Sequence, residues 1–352
     1  MFLEQLGWNG HFAAALAALG DGSLKPGRVI RQDSGRCLLM AADGEHAAIL
    51  PRRGRGEADD PPVAGDWVAA EMLPGDWRVK AILPRASYLA REAVGKRLAV
   101  QFVAANLDTV LVVTDAGHDF NPRRIERYLI AVWNGGAQPV VVINKADEAL
   151  DIGDRKGELE ALAPGLTVLT LSARSGAGVE ALSPYLACGR TVACVGSSGV
   201  GKSTLINRLL GENRQETGAV SDEDGKGRHT TTRRELLFLP GGAMIVDTPG
   251  LREIAPWYDG QTALAGFAEI DALIADCRFN DCSHGGEPGC AVRAALADGS
   301  LDPGRYESWR KLSREAAFQE SRRGGTAARE RKRAERHFGR VVKDIKRRSP
   351  KS

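Results

Sequence analysis

The stretch VVVINKAD, Val140 to Asp147, decides how this 352-residue chain folds. Its apolar, β-branched start reads as a buried strand, and it runs straight into Asn144-Lys145-Ala146-Asp147. Guanine presents two parallel donors, N1–H and the 2-amino group, and a single carboxylate accepts both. Asp147 can therefore bind guanine in a way that adenine cannot match, while the Asn144 amide buttresses the site and Lys145 packs along the base. In the usual order such a motif follows a phosphate-binding loop. Here the only such loop, GSSGVGKST from Gly196 to Thr204, comes after it.

That later loop lies in VACVGSSGVGKSTLINRLL, which has the context the motif requires: strand, glycine-rich turn, then amphipathic helix. Gly196, Gly199 and Gly201 let the backbone wrap through Ser197, Ser198 and Val200 with its N–H groups turned inward. The helix that follows adds its positive end. Lys202 is expected on the β- and γ-phosphates, the Ser203 hydroxyl on Mg²⁺, and Thr204 completes the turn. DTPG, Asp247 to Gly250, ends a later apolar strand. Its carboxylate is placed to hold Mg²⁺ and the Gly250 N–H to meet the γ-phosphate. Ser172-Ala173, at another strand end, offers a backbone N–H to the guanine carbonyl.

The apolar runs TVLVVTD (109–115), PVVVINK (139–145), LTVLTLSA (166–173), RTVACVG (190–196) and the hairpin RELLFLP-GG-AMIVDTP alternate with helical segments. This is the grammar of a parallel sheet covered on both faces, with ligands beyond the carboxyl ends of its strands. The motif order is guanine loop, second guanine loop, phosphate loop, switch, DTPG. Rotated by one cut it becomes the usual order, so the domain is read as circularly permuted, spanning residues 96–256. A sheet tolerates such a cut because it is held by spatial adjacency.

Residues 1–24 are read as an extension, helical or mobile. Residues 25–92 read as short apolar stretches broken by Gly, Pro and Asp, which implies a small β-barrel. Periodicity alone leaves OB-like and SH3-like barrels open. The loop PRRGRGEADDPP, with Arg52, Arg53 and Arg55, is expected on its rim, touching nucleic acid or merely solvated. Residues 257–352 form the remaining part. Within them DCRFNDCSHGGEPGC places Cys277, Cys282, His284 and Cys290 as C-x₄-C-x-H-x₅-C, a donor set suited to tetrahedral zinc. Four protein ligands leave no open position, so the zinc is expected to be structural.

The formal charge of +3 is asymmetric: residues 303–352 hold 17 Lys+Arg against 6 Asp+Glu, a surplus of 11, which leaves −8 for the rest. A basic tail on an acidic body favours a polyanion, with a solvated helix as the plain alternative. No apolar run reaches the length of a membrane span, and no secretory pattern opens the chain. A cytoplasmic monomer with no membrane partner is expected.

With GDWV, QFVAANLDTVLVVTD, NKAD, GSSGVGKSTLINRLL, GKGRHTTTRRELLFLP, DTPGLRE and the Cys/His cluster in view, the chain resembles the bacterial circularly permuted GTPases that depend on the small ribosomal subunit. The resemblance covers almost the whole chain. It implies an N-terminal OB-fold, a permuted GTPase domain and a C-terminal zinc domain. It also implies late maturation of the small (30S) subunit, with 16S rRNA as partner and the subunit stimulating GTP hydrolysis. An RNA-binding scaffold that only holds GTP is the rival reading, disfavoured by Lys202, Ser203 and Asp247. An ATPase or kinase is disfavoured by Asn144 and Asp147.

The residue after DTPG is Leu251, which cannot orient water. The nearest polar candidate is His229 in GKGRHTTT, and the resemblance carries the same histidine into the hydrolytic role. Spacing makes Thr231 the first choice for the Mg²⁺-binding switch threonine, with Thr232 next.

Overall fold

A computed structural model of the protein describes residues 2–33, 35–50, 61–92, 100–117, 119–149, 151–163, 165–211, 234–247 and 266–323. After α1 (Gly10–Ala18), whose Asn9 cap accepts from the His11 N–H, come β1 (Lys25–Asp33), β2 (Arg36–Ala41), β3 (Gly44–Ile49), β4 (Trp67–Leu73) and β5 (Asp76–Ile82). Their order is β1-β2-β3-β5-β4, closed by antiparallel β1–β4 pairing, with β3 and β5 parallel. A five-stranded closed barrel with one parallel pair is the OB topology, so pairing settles what periodicity left open. The rim loop with Arg52, Arg53 and Arg55 lies outside the described residues.

An antiparallel pair, β6 (Tyr88–Glu92) and β7 (Val100–Ala105), leads from the barrel into the sheet. There follow β8 (Thr109–Asp115), α2 (Pro122–Asn134), β9 (Gln138–Asn144), α3 (Ile152–Glu160), β10 (Val168–Thr170), β11 (Thr191–Val195), α4 (Lys202–Leu210), β12 (Glu235–Phe238) and β13 (Met244–Asp247). The sheet runs β10-β9-β8-β11-β13-β12, parallel except for the β12–β13 hairpin.

Strand periodicity divides the side chains of this sheet between two cores. Val110, Val112, Val141, Ile143, Ala193 and Val195 face one core, and Leu111, Val113, Val140, Val142, Val192 and Cys194 face the other. Every residue of β8 and β11 is buried. Both faces are therefore dry, which is why the strands read as continuous apolar runs. Burial raises the Cys194 thiol to about 12 and the Cys37 thiol likewise, so both act as small apolar side chains.

The barrel is joined to the sheet rather than tethered to it. The β1–β2 register shifts between Val29 and Arg31, and the alternation of side chains along β1 sends neighbours into different cores. Val29 faces the barrel interior, whereas Ile30 joins the core shared with the sheet. Arg31 then pairs with Glu235 of β12. Leu6, Phe12 and Leu19 of the N-terminal segment are buried in the same shared core.

Arg28 lies at this junction, 1% exposed. It donates to the Leu6 carbonyl, to the Asn106 carbonyl at 3.1 Å and to the Thr191 hydroxyl at 2.9 Å. Burial lowers its pKa to about 10, with Asp108 and Asp66 acting in the opposite sense, so the group stays charged at neutral pH. One guanidinium thus joins the N-terminal segment, the barrel, the end of β7 and the start of β11.

The C-terminal part comprises α5 (Ala268–Ala275), α6 (Ala291–Asp298) and α7 (Pro303–Arg323). Arg305 of α7 fastens it to helix α2 of the parallel sheet. It donates to Glu126 at 2.7 Å and to Glu269 at 2.8 Å, and it stacks over Phe267 at 4.0 Å. Ile130 of α2 enters the core formed by Phe267, Ile270, Val292 and Leu312.

Removing the Arg28 side chain orphans three buried acceptors and opens a cavity between four segments. Arg28→Ala is expected to cost about 3 kcal/mol or more, read as a lowered urea midpoint. An unchanged midpoint would show that the junction does not depend on the cation.

Candidate nucleotide and metal sites

The parallel strands end on one edge of the sheet, and the chemistry lines up along it. Ser172-Ala173 follow β10, Asn144 ends β9, Asp115 ends β8, Gly196 follows β11 and Asp247 ends β13. Motifs far apart and inverted in sequence therefore meet in the order a nucleotide needs, with the base end at β10 and β9 and the phosphate end at β11 and β13.

Asn144 ties these loops together. Its Nδ2 donates to the Val200 carbonyl of the phosphate loop at 2.7 Å, and its Oδ1 accepts from the Ala173 N–H at 2.8 Å. The side chain is 2% exposed. The close approach constrains the phosphate loop, because a Cβ on Gly201 would lie 2.2 Å from Asn144 Nδ2. A Cβ on Gly196 would lie 2.1 Å from the Val113 carbonyl oxygen. With φ of 92° at Gly201 and 142° at Gly196, both positions need glycine on backbone grounds as well. Ser197, Ser198 and Gly199 arch between them, and Ser203 and Thr204 lie in the first turn of α4.

Lys202 donates to the Gly196 carbonyl at 2.8 Å and the Ser197 carbonyl at 2.5 Å. Its ammonium folds back over the loop whose phosphates it is expected to meet. Lys145 has φ of 57°, and its ammonium meets Asp115 at 3.2 Å. Asp115 also accepts from the Gly117 and Asp119 N–H groups, at 2.9 and 3.0 Å. Ala146 donates its N–H to the Leu171 carbonyl at 3.1 Å, pinning the loop after β9 to the one after β10. The exposed Asp147 carboxyl is held below the usual carboxylate range, first by the Ser172 hydroxyl and then by its own backbone N–H. It is ionised throughout the neutral range, as a double acceptor must be.

Of the Ser172-Ala173 N–H groups, one of which is expected on the guanine carbonyl, Ala173 donates to Asn144 and Ser172 to the Ala177 carbonyl at 2.9 Å in this structure. Residues 248–250 of DTPG, with Gly250, and the switch residues His229, Thr231 and Thr232 lie outside the described residues.

At the other end of the protein, the donor atoms of Cys277, Cys282, His284 and Cys290 all lie within 4.8 Å of one another. Cys277 Sγ and Cys290 Sγ are 4.0 Å apart, and each is 3.6 or 3.5 Å from His284 Nδ1. Tetrahedral zinc with bonds of about 2.3 Å to sulfur and about 2.0 Å to nitrogen sets these edges at about 3.8 and about 3.5 Å. The cluster fits that ion. His284 reaches it from a left-handed backbone position, φ 57°.

Three contributors were missed by reading the sequence. The Glu287 carboxylate accepts from the Ser283 hydroxyl, which together with the Gly286, Glu287 and Ser283 N–H groups depresses its pKa strongly, and its bonds from the Ser283, Gly285 and Gly286 N–H groups at 2.9 to 3.0 Å shape the loop carrying His284. It lies inside the cluster's own stretch, so its spacing was visible. Asp115, through Lys145, and Arg208, which donates to the Ala173 and Arg174 carbonyls, gave no such signal, since these partners are remote in sequence.

A parallel sheet with a phosphate loop, an Asn-Lys-x-Asp loop that precedes it, and a Ser-Ala loop between them defines a circularly permuted P-loop GTPase. Residues 82–257 match the RsgA GTPase family. The chain is similar to the small ribosomal subunit biogenesis GTPase RsgA of Opitutus terrae, 48% identical over an alignment of 334 residues, with 90% of each chain covered. It is also similar to the crystal structure of YjeQ from Thermotoga maritima, with 28% identity, a TM-score of 0.62, and coverage of 84% of this chain and 99% of that one. The fold recurs in YloQ, described as a circularly permuted GTPase, at 22% identity and a TM-score of 0.59, over 85% of this chain and 96% of that one. The chain belongs to the RsgA GTPase family and is a GTP hydrolase.

Replacing the double acceptor tests the base site directly. Asp147→Asn is expected to weaken GTP binding roughly 10- to 100-fold, the loss of charged hydrogen bonds, and to shift preference toward xanthine nucleotides. Retained GTP affinity in a competition assay would remove Asp147 from the base site.

Proposed function

We propose that this chain binds the small ribosomal subunit and acts in its late assembly, hydrolysing GTP to GDP and phosphate with stimulation by the subunit. The observation that carries the nucleotide part is Asn144, which holds the guanine loops and the phosphate loop as one unit. The subunit is inferred from the relatives' name, small ribosomal subunit biogenesis GTPase. Contact with 16S rRNA is supported by the OB barrel and by the basic surplus of residues 303–352. None of the described helices is long and apolar enough to cross a membrane. A cytoplasmic monomer completes the reading, divided into an extension (1–24), an OB barrel (25–92), a GTPase domain (96–256) and a zinc and helical part (257–352).

GTP is expected to draw Lys202 from the Gly196 and Ser197 carbonyls onto the β- and γ-phosphates. Ser203, Thr231 and Asp247 are the residues to hold Mg²⁺, which neutralises charge building on the phosphates. Leu251 offers no polar group, and His229 is assigned to orient the attacking water once the switch loop closes. Phosphate release measured with and without 30S subunits tests the whole reading. A rate that the subunits leave unchanged would count against it.

His229→Ala is expected to lower subunit-stimulated turnover by roughly 10²-fold, in the range of a lost water-positioning group, with GTP binding nearly intact. Surviving stimulation, or a collapse of nucleotide affinity, would reassign the role.

The zinc is proposed to be structural, since its four ligands leave no open position. Cys277 and Cys290 sit in the small core with Val292 and Leu301, so the ion substitutes for apolar packing there. Chelation or Cys282→Ala is expected to unfold residues 277–290, read by hydrogen exchange, while GTP still binds. Absence of zinc from the purified protein by elemental analysis would end this assignment.

A further inference from the structure

The loop after β10 is held from a direction that base-binding motifs do not account for. Arg208, in the last turn of α4, donates through Nε to the Ala173 carbonyl at 2.7 Å and through Nη2 to the Arg174 carbonyl at 2.6 Å. The backbone makes room for this fork. Gly176, at φ 92°, passes so close that a Cβ there would lie 2.8 Å from Arg208 Nη1. Helix α4 is the helix that opens with Lys202 and Ser203 at the phosphate end.

Peptide planarity turns this contact into a statement about the base. Ala173 is fixed on both sides, its N–H by Asn144 Oδ1 and its carbonyl by Arg208 Nε. The Arg174 N–H lies in the plane of that carbonyl and points the opposite way, away from α4. Among the described residues the Arg174 N–H has no acceptor. The Ala173 N–H is already engaged, so Arg174 supplies the remaining donor for the carbonyl at position 6 of guanine.

We infer that Arg208 is a positioning residue for base selection: from the phosphate-loop helix it sets the 173–174 peptide plane so that the Arg174 N–H meets the guanine carbonyl. The inference rests on the proposed guanine site. A purine bearing an amino group at position 6 presents a donor to that donor and is rejected. A plain alternative is that Arg208 only complements the carboxyl end of α4, where any cation would serve.

The two roles separate by nucleotide and by variant. Arg208 is exposed on its helix and alanine is the best helix former, so Arg208→Ala is expected to fold. Binding of GTP, ITP and ATP to wild type, Arg208→Ala and Arg208→Lys is measured by competition. For Arg208→Ala, GTP and ITP affinities are each expected to fall about tenfold, with ATP unchanged. The preference for GTP over ATP then drops by that factor. The ratio of GTP to ITP, which reports the 2-amino contact with Asp147, holds. Arg208→Lys keeps the charge without the fork and is expected to recover the melting temperature but only part of the base preference. Equal losses for all three nucleotides, no loss at all, or full recovery by lysine would overturn the assignment. Failure of Asp147→Asn to change base preference would instead strike the guanine site itself, whatever Arg208 does.

Discussion

A single buried amide holds the nucleotide site together. Asn144 uses its donor on the Val200 carbonyl and its acceptor on the Ala173 N–H, so one side chain spans the phosphate loop and both guanine loops. An amide is suited to this because it offers both polarities in a fixed plane. Its burial makes each bond costly to break, since water cannot replace the lost partner. The glycine at 201 follows from the same contact, because any side chain there would occupy the place of the amide. Circular permutation is tolerable for this reason: the site depends on strands lying side by side and on Asn144 reaching across them, not on which loop carries the chain ends.

The barrel and the sheet share a core, and the means is the alternation of side chains along β1. Successive side chains of β1 point to opposite faces, so one strand lines the barrel through Val29 and also contributes Ile30 to the packing under β8 and β11. Arg28 sits where the shared core would otherwise leave backbone carbonyls unpaired. A buried cation is expensive, and Asp66 and Asp108 offset part of that cost. Asp66 is itself held by Arg85 at 2.7 Å, which explains the GDWV stretch: Gly65 passes close to the Ala105 carbonyl, Asp66 takes the ion pair and Trp67 fills the core.

The segment carrying the Cys/His cluster and the nucleotide sheet are coupled through α2. Arg305 joins Glu126 and Glu269, and Ile130 enters the small core that also contains Cys277 and Cys290. Burial raises the Glu126 pKa, while the Ser308 hydroxyl and Arg305 pull it back, so the carboxylate depends on α7 for its charge. Displacement of α7 would leave a buried acid without its partner. The C-terminal helices are thus seated on a helix whose preceding strand ends at Asp115, the residue that meets Lys145.

The amino-acid sequence determined the chemistry and its order. The phosphate loop, Asn144 to Asp147, Ser172-Ala173 and the Cys/His cluster are each set by short-range spacing, and alternation of apolar residues marked the strands that carry them. The permutation was legible because the motifs could be ordered along the chain. Tertiary structure decided what depends on partners remote in sequence. The parallel pairing of β3 with β5 made the barrel an OB-fold, which no periodicity distinguishes from its rival. The four segments meeting at Arg28, the ion pair of Glu126 with Arg305, and the grip of Arg208 on the 173–174 peptides carry no local signal, because an arginine on a helix reads the same whether it meets solvent or a carbonyl. Spacing can show which residues share an element; only packing determines which elements those residues hold together.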